Sequence, residues 1–115
     1  VFVPRAAQRG VRQQQRAQGR YAMKEYLDAI FSAKTTDQVC ASLQKALDSL
    51  KAKKYLEKIP DYYEDIAARN PAEVEEWFDE MKDDEQALEE GHLKEVYGLF
   101  DAALRQLRKL GFHRQ

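Results

Sequence analysis

The sequence predicts an all-α protein, a small antiparallel helical bundle with an extended basic N-terminal arm. The chain has 115 residues, which is enough for one modest domain. Apolar residues recur at the 3.6-residue spacing of amphipathic helices, whereas the alternating Val, Ile and Thr runs typical of strands do not occur in the sequence. We therefore expect a basic arm over residues 1–19, a helical bundle over 20–112 and a tail over 113–115.

The composition restricts the class of protein. No apolar run approaches the roughly 20 residues needed to cross a bilayer, and no secretory hydrophobic segment stands at the start, so we expect a soluble or peripheral protein. Cys40 is the only cysteine. An internal disulfide cannot form, which favours a reducing compartment.

Charge is strongly segregated along the chain. Residues 1–60 carry 12 Lys and Arg against 5 Asp and Glu, residues 61–90 carry 2 against 13, and residues 91–115 carry 5 against 2. Such blocks predict separate basic and acidic surfaces.

The N-terminal arm contains five arginines and no acidic residue over residues 5–20. It is compatible with a nucleic-acid arm, a membrane-surface helix, a targeting remnant or a strap on an acidic partner. The acidic block opposes nucleic acid, and the arm lacks the face of Leu, Phe and Trp that membrane-surface helices require. Because the chain begins with Val1, we expect a processed product or a fragment. We interpret the arm as a strap that binds a partner protein through Arg5, Arg9, Arg12, Arg16 and Arg20.

The first half of the bundle is predicted from two apolar stripes. Helical spacing predicts a first helix over residues 20–33. Thr35 and Gln38 have the spacing of a capping box and open a second helix. The stripes are Met23, Tyr26, Leu27, Ile30 and Phe31 in the first helix, and Val39, Leu43, Leu47 and Leu50 in the second.

Two prolines, Pro60 and Pro71, predict helix boundaries in the middle of the chain. Pro60 predicts a break followed by a short helix to about Arg69 that buries Tyr63, Ile66 and Ala67. Asn70 as N-cap and Pro71 at the first helical position then predict a helix that runs to Gly91. Its predicted buried face is Val74, Trp77, Phe78, Met81 and Leu88.

The last helix has the most regular pattern. Its apolar residues keep helical spacing for five turns, and Gly111 followed by Phe112 predicts a left-handed cap. The stripe is Leu93, Val96, Tyr97, Phe100, Ala103, Leu104, Leu107 and Leu110.

Candidate chemistry is sparse. Glu89 and His92 have the spacing of metal ligands on one helix, but Gly91 between them predicts a helix break. Cys40 lies on an apolar face and is interpreted as a small buried hydrophobe. We interpret the tyrosines and Trp77 as core residues in preference to base-stacking platforms. We predict no catalytic residue, no metal site and no cofactor.

Residues 45–110 resemble a known family. The segments "KALDSL", "YYEDI" and "LEEGHLKEV", followed by Leu104 and "RKL", are similar in order and spacing to the alpha-subcomplex subunit 5 family of mitochondrial respiratory complex I. The chain departs from the family pattern at His92, where glutamine is usual. The matching positions that we expect to be structural are Leu47, Asp48, Leu50, Leu88, Gly91, Leu93, Glu95, Val96 and Leu104.

The resemblance implies a non-enzymatic accessory subunit of the respiratory chain, on the matrix side of the inner membrane, that supports assembly or stability by protein-protein contacts. Its partners would be protein subunits of the complex, without nucleic acid, direct membrane contact or homo-oligomer formation. The alternative is an accessory subunit of another mitochondrial assembly, such as the ATP synthase, another respiratory complex or an RNA-contacting ribosomal component.

Overall fold

A computed structural model describes residues 23–89 and 92–113, and within these residues every helix is α or 3-10 and no strand occurs. The all-α prediction is confirmed. The predicted arm, with its five arginines, and Gly91 lie outside the described residues. The elements are α1 (23–32 in its described part), α2 (Thr36–Ala52), 3-10 turns at Tyr55–Lys58 and Asp61–Tyr63, α3 (Pro71–Lys82), α4 (Glu85–Glu89) and α5 (His92–Lys109).

The predicted starts of α2 and α3 are confirmed by their caps. Thr35 Oγ1 accepts a hydrogen bond from the Gln38 amide at 3.1 Å. Asn70 Oδ1 accepts from the Glu73 amide at 2.9 Å, with Pro71 at the first helical position. These bonds satisfy amides that a helix start otherwise leaves without a partner.

The predicted end of α5 is also confirmed. Gly111 has φ +101°, a left-handed conformation in which a side chain would be strained. The amide of Phe112 donates to the Leu107 carbonyl at 2.9 Å, and the Gly111 amide donates to Arg108 at 3.1 Å. This pair of bonds is a Schellman motif.

The predicted helix from Pro60 to Arg69 is wrong. Only Asp61–Tyr63 forms a single 3-10 turn, and the chain is irregular from residue 64 to residue 70. A side chain here replaces part of the helical bonding, since Gln44 Oε1 accepts from the Ala68 amide at 2.8 Å. Tyr63 and Ile66 are nevertheless fully buried, as predicted.

The predicted helix from Pro71 to Gly91 is wrong in its second half, because α3 ends at Lys82. Asp83 and Asp84, directly after Lys82, account for the break between α3 and α4. A carboxylate near a helix C-terminus opposes the helix dipole, and aspartate is a strong N-cap. Asp84 Oδ1 accepts from the Ala87 amide at 3.2 Å and so begins α4.

The helices pack around one apolar core with α3 and α5 antiparallel. The Phe78 and Tyr97 rings stack with centroids 4.9 Å apart near one end of this pair, and an Arg108 nitrogen lies 3.9 Å from a Glu75 oxygen near the other. None of the described helices is long and apolar enough to span a bilayer. The largest fully buried side chains include Tyr63, Phe100, Ile30, Leu43, Leu47, Ile66 and Met81.

The bundle has two chemically different ends, which we name by their residues. The capped end comprises residues 33–38, 69–73 and 106–112, where the helix caps lie and where Gln106 Nε2 donates to the Ala33 carbonyl at 2.9 Å. The tyrosine end comprises residues 53–63, 79–84 and 93–97, where tyrosine hydroxyls donate to carboxylates.

Candidate functional site

A groove of about 530 Å³ opens at the tyrosine end. Five of its lining side chains are carboxylates, two are tyrosines, and none is basic. We call this surface the acidic groove, and its lining residues are Tyr62, Tyr63, Glu76, Asp79, Glu80, Asp83 and Asp84.

Helix α3 supplies one wall of the groove because it is amphipathic. Its acidic residues at positions 76, 79, 80 and 83 follow the i, i+3, i+4, i+7 spacing of one helix face. Val74 and Met81 on another face are fully buried in the core, which turns the acidic face outward. Glu76, Glu80 and Asp83 are exposed.

The two tyrosines form the other side of the groove around Asp84. The Tyr62 hydroxyl donates a hydrogen bond to Asp84 Oδ2, and the Tyr63 hydroxyl donates to the same oxygen at 3.1 Å. The two rings lie 4.7 Å apart, and Tyr63 packs in turn on Trp77 with centroids 6.0 Å apart. Tyr63 is fully buried, whereas Tyr62 is 64% exposed and offers its ring to solvent.

These contacts set the charge of the groove at neutral pH. The hydrogen bond from Tyr62 is the main reason why the pKa of Asp84 lies below its ordinary value, and the Ala87 amide and Tyr63 lower it further. Burial, followed by the hydrogen bond to Asp84, raises the pKa of Tyr63. Asp84 is therefore ionised and Tyr63 stays protonated as a hydrogen-bond donor.

The groove is suited to an extended cationic ligand. Within the described residues no group of three or more His, Cys, Asp or Glu side chains is arranged to hold a metal ion. Carboxylates spread along a helix face instead match several arginine or lysine side chains of one chain segment. The exposed ring of Tyr62 adds a surface on which a guanidinium can stack.

The residues that the family resemblance selected fall into three groups. Five apolar ones lie in the core at 3% exposure or less: Leu47, Leu50, Leu93, Val96 and Leu104. Leu88 is half-buried, and Asp48 and Glu95 are exposed. Asp48 accepts from Gln44 Nε2 at 3.0 Å, and Glu95 accepts from the Tyr55 hydroxyl. None of these residues lines the acidic groove.

The interpretation of Cys40 as a buried hydrophobe is confirmed, since its side chain is 4% exposed. Burial, followed by the charge of Asp37, raises the pKa of the thiol to about 11, so it is protonated at neutral pH. Glu89 ends α4 and His92 begins α5, so the pair does not share one helix.

The sequence pattern did not indicate the role of two groove residues. Tyr62 was predicted to pack in the core and is exposed instead. Asp84 was predicted only as part of an acidic surface, whereas it is the acceptor that joins both tyrosines to α4. The adjacency of Tyr62 and Tyr63 could have indicated that one of them is exposed, because neighbouring residues in a tight turn cannot both point into one core.

Comparisons of the sequence with protein-family models and curated proteins, and of the fold with solved structures, gave no match. The family resemblance of residues 45–110 therefore stays a prediction.

Proposed function

We propose that this chain is a non-catalytic protein-binding subunit whose acidic groove receives an arginine- or lysine-rich segment of a partner protein. The observation that carries the proposal is the groove itself, a volume of about 530 Å³ lined by five carboxylates and no basic side chain. Like charges held this close raise the local concentration of cations and steer a basic partner toward the site.

The rigidity of the groove supports this function. One wall is a helix anchored by Val74 and Met81, and the opposite side is held by Tyr63, all three fully buried. A surface held in place by the core loses little conformational entropy on binding, which favours affinity. The hydrogen bonds to Asp84 orient the exposed Tyr62 ring beside the carboxylates.

For the host we propose mitochondrial respiratory complex I, on the matrix side of the inner membrane, with an accessory role in assembly or stability and no cofactor of its own. The support is the resemblance of residues 45–110 to the alpha-subcomplex subunit 5 family. The acidic groove adds a surface on which such a subunit would contact a basic neighbour. Another mitochondrial assembly is the alternative host. If that host is the ribosome, the groove would bind a basic segment of a ribosomal protein, since the acidic groove would repel RNA.

The test is co-migration with complex I on a native gel, with the tagged chain expressed in mitochondria. The groove variant is E76Q/E80Q/D83N, which neutralises three exposed carboxylates without touching the core. The matched control is E25Q/D28N/E57Q, which removes the same charge, from two glutamates and one aspartate, at exposed residues outside the groove. We expect the groove variant to lose co-migration at least tenfold and the control to keep it.

Two results would contradict the two parts of the proposal separately. Recovery of the wild-type chain only as a free monomer would reject complex I and any other stable host. Equal co-migration of the groove variant and the control would keep the host and reject the groove as the binding surface.

A further inference from the structure

The N-terminal arm joins the bundle at the end that carries the acidic groove. Lys53 Nζ, just after α2, lies 6.0 Å from the centre of the Tyr26 ring in α1. The Tyr55 hydroxyl donates to Glu95 at the start of α5, next to the ring stack of Phe78 and Tyr97. Residue 23, the first described residue of α1, therefore lies at the tyrosine end, and the arm is covalently connected to the bundle through it.

The arm is long enough to reach the groove. Residues 5–20 can extend to about 50 Å at roughly 3.3 Å per residue. Neighbouring helices lie about 8–10 Å apart, so the extended length of residues 5–20 equals several helix-to-helix spacings. The groove face of α3 from Glu76 to Asp83 is about 10 Å long at 1.5 Å per residue.

The arm is also the chemical complement of the groove. Residues 5–20 carry five arginines and no acidic residue. The groove presents five carboxylates and no basic residue, with the exposed ring of Tyr62 beside them. Guanidinium groups bind carboxylates with two parallel hydrogen bonds and stack on aromatic rings, so both kinds of surface suit arginine.

We propose that residues 5–20 of the chain bind the acidic groove of the same molecule and thereby compete with the basic segment of a partner. This inference rests on the proposed function, because it assumes that the groove accepts basic segments. The arm acts as an internal competitor that keeps the groove occupied until a partner with more basic contacts, or an acidic surface that takes the arm, displaces it.

The expected size of the competition follows from tethering. A short flexible tether gives an effective concentration of about 1 mM. If the free arm sequence binds the groove with a Kd of about 0.1 mM, the tethered arm weakens binding of an added basic peptide about tenfold.

The experiment measures binding of a synthetic peptide with the sequence of residues 5–20 by calorimetry at low salt. One protein is the full wild-type chain, and the other is the full chain with Arg5, Arg9, Arg12, Arg16 and Arg20 each changed to Gln. We expect the Arg-to-Gln chain to bind the peptide about tenfold more tightly. Adding E76Q/E80Q/D83N should abolish this binding, whereas adding E25Q/D28N/E57Q should retain it.

The outcomes separate the inference from the proposed function. Equal peptide affinity for both chains would overturn the internal competition and leave the groove as a binding site. No peptide binding to the Arg-to-Gln chain would reject the groove for basic segments. Sedimentation of the wild-type chain over a hundredfold concentration range should show a monomer, and a salt-sensitive dimer would show instead that the arm binds a second copy.

Discussion

The two ends of the bundle are held by different chemistry. At the capped end, neutral side chains bond the backbone at three places: Thr35 and Asn70 cap helix starts, and Gln106 donates to the Ala33 carbonyl. One carboxylate, that of Glu73, also accepts from a backbone amide there. At the tyrosine end, phenol hydroxyls donate to the carboxylates of Asp84 and Glu95. The first kind of bonding completes a fold, whereas the second leaves charged groups facing solvent beside a groove.

This difference indicates where function can lie. The capped end offers no concentration of one charge, since its charged residues are of both signs and the exposed Arg69 forms an ion pair with the half-buried Glu73 at 2.8 Å. The tyrosine end carries five carboxylates along one groove and no basic side chain among the lining residues, which concentrates negative charge at this surface. Proteins often keep such unfavourable charge at surfaces that bind a partner of opposite sign.

The largest effect should come from removing the buried tyrosine that anchors the groove. Tyr63→Ala deletes a fully buried ring that packs on Trp77, and we expect it to lower the free energy of unfolding by about 3–5 kcal/mol. The measurement is urea denaturation followed by circular dichroism. Tyr62→Ala is the matched control, because its ring is 64% exposed, and we expect a loss below about 1 kcal/mol. Equal losses would show that Tyr63 is not an anchor.

The capped end should lose stability when the side-chain amide of Gln106 is removed. Gln106→Met keeps the size of a side chain that is 8% exposed but removes the donor to the Ala33 carbonyl. A buried carbonyl deprived of its partner costs about 1–3 kcal/mol, and we expect that loss to be the same at pH 5 and pH 8 because no ionisable group is involved. Gln86→Met, at an exposed position of α4, should change the stability by less than about 0.5 kcal/mol. A strong pH dependence would contradict the assignment.

The tyrosine end should respond to acid through Asp84. Its pKa is lowered in the folded protein, chiefly by the Tyr62 hydroxyl, so the folded state binds protons less readily than the unfolded one. The resulting stabilisation is present above the ordinary carboxyl pKa of about 4 and is lost as the pH falls through the lower folded value. Asp84→Asn should therefore be less stable than wild type at pH 7, and the difference should shrink as the pH falls below about 4 through the lower folded pKa of Asp84.

High salt distinguishes the stabilisation by Asp84 from the stabilisation by Glu73, a carboxylate at the capped end. The pKa of Glu73 is also lowered, chiefly by its hydrogen bond with the exposed Arg69. Because 1 M salt reduces the Debye length to about 3 Å, the stability lost in Glu73→Gln should become smaller in salt. The loss in Asp84→Asn should persist, since its main donors are neutral phenols. The measurement is thermal unfolding of both variants from pH 2 to pH 7 at low and high salt.

Much of the capped end was predictable and much of the tyrosine end was not. Caps are local, so Thr35, Asn70 and Gly111 could be identified from residues within four positions of each helix end. The irregular path after Pro60 depends on Gln44, which lies 24 residues away in sequence from its partner Ala68. The groove likewise joins residues 62 and 84, and a pattern read along the chain does not show such a pairing.

The smallest predicted effect concerns α5, the helix that connects the two ends. Gly98 lies on the exposed face of α5 and is not in the left-handed conformation, and no atom beyond its own helical turn lies within 4 Å of the position that a Cβ atom would take. Nothing in the described fold requires glycine there, so Gly98→Ala should raise the free energy of unfolding by about 0.5–1 kcal/mol.

Gly111, just after the end of α5, is a glycine at which alanine should have the opposite effect. Gly111 at the capped end has φ +101°, so Gly111→Ala strains the Schellman motif and should lower the stability by about 1 kcal/mol. Denaturation of both variants should give shifts of opposite sign. The Gly98→Ala chain should keep the acid response of wild type, because it strengthens the connecting helix without altering Asp84. A changed acid response would show that the tyrosine end depends on the flexibility of α5, and the two ends would then be coupled through that helix.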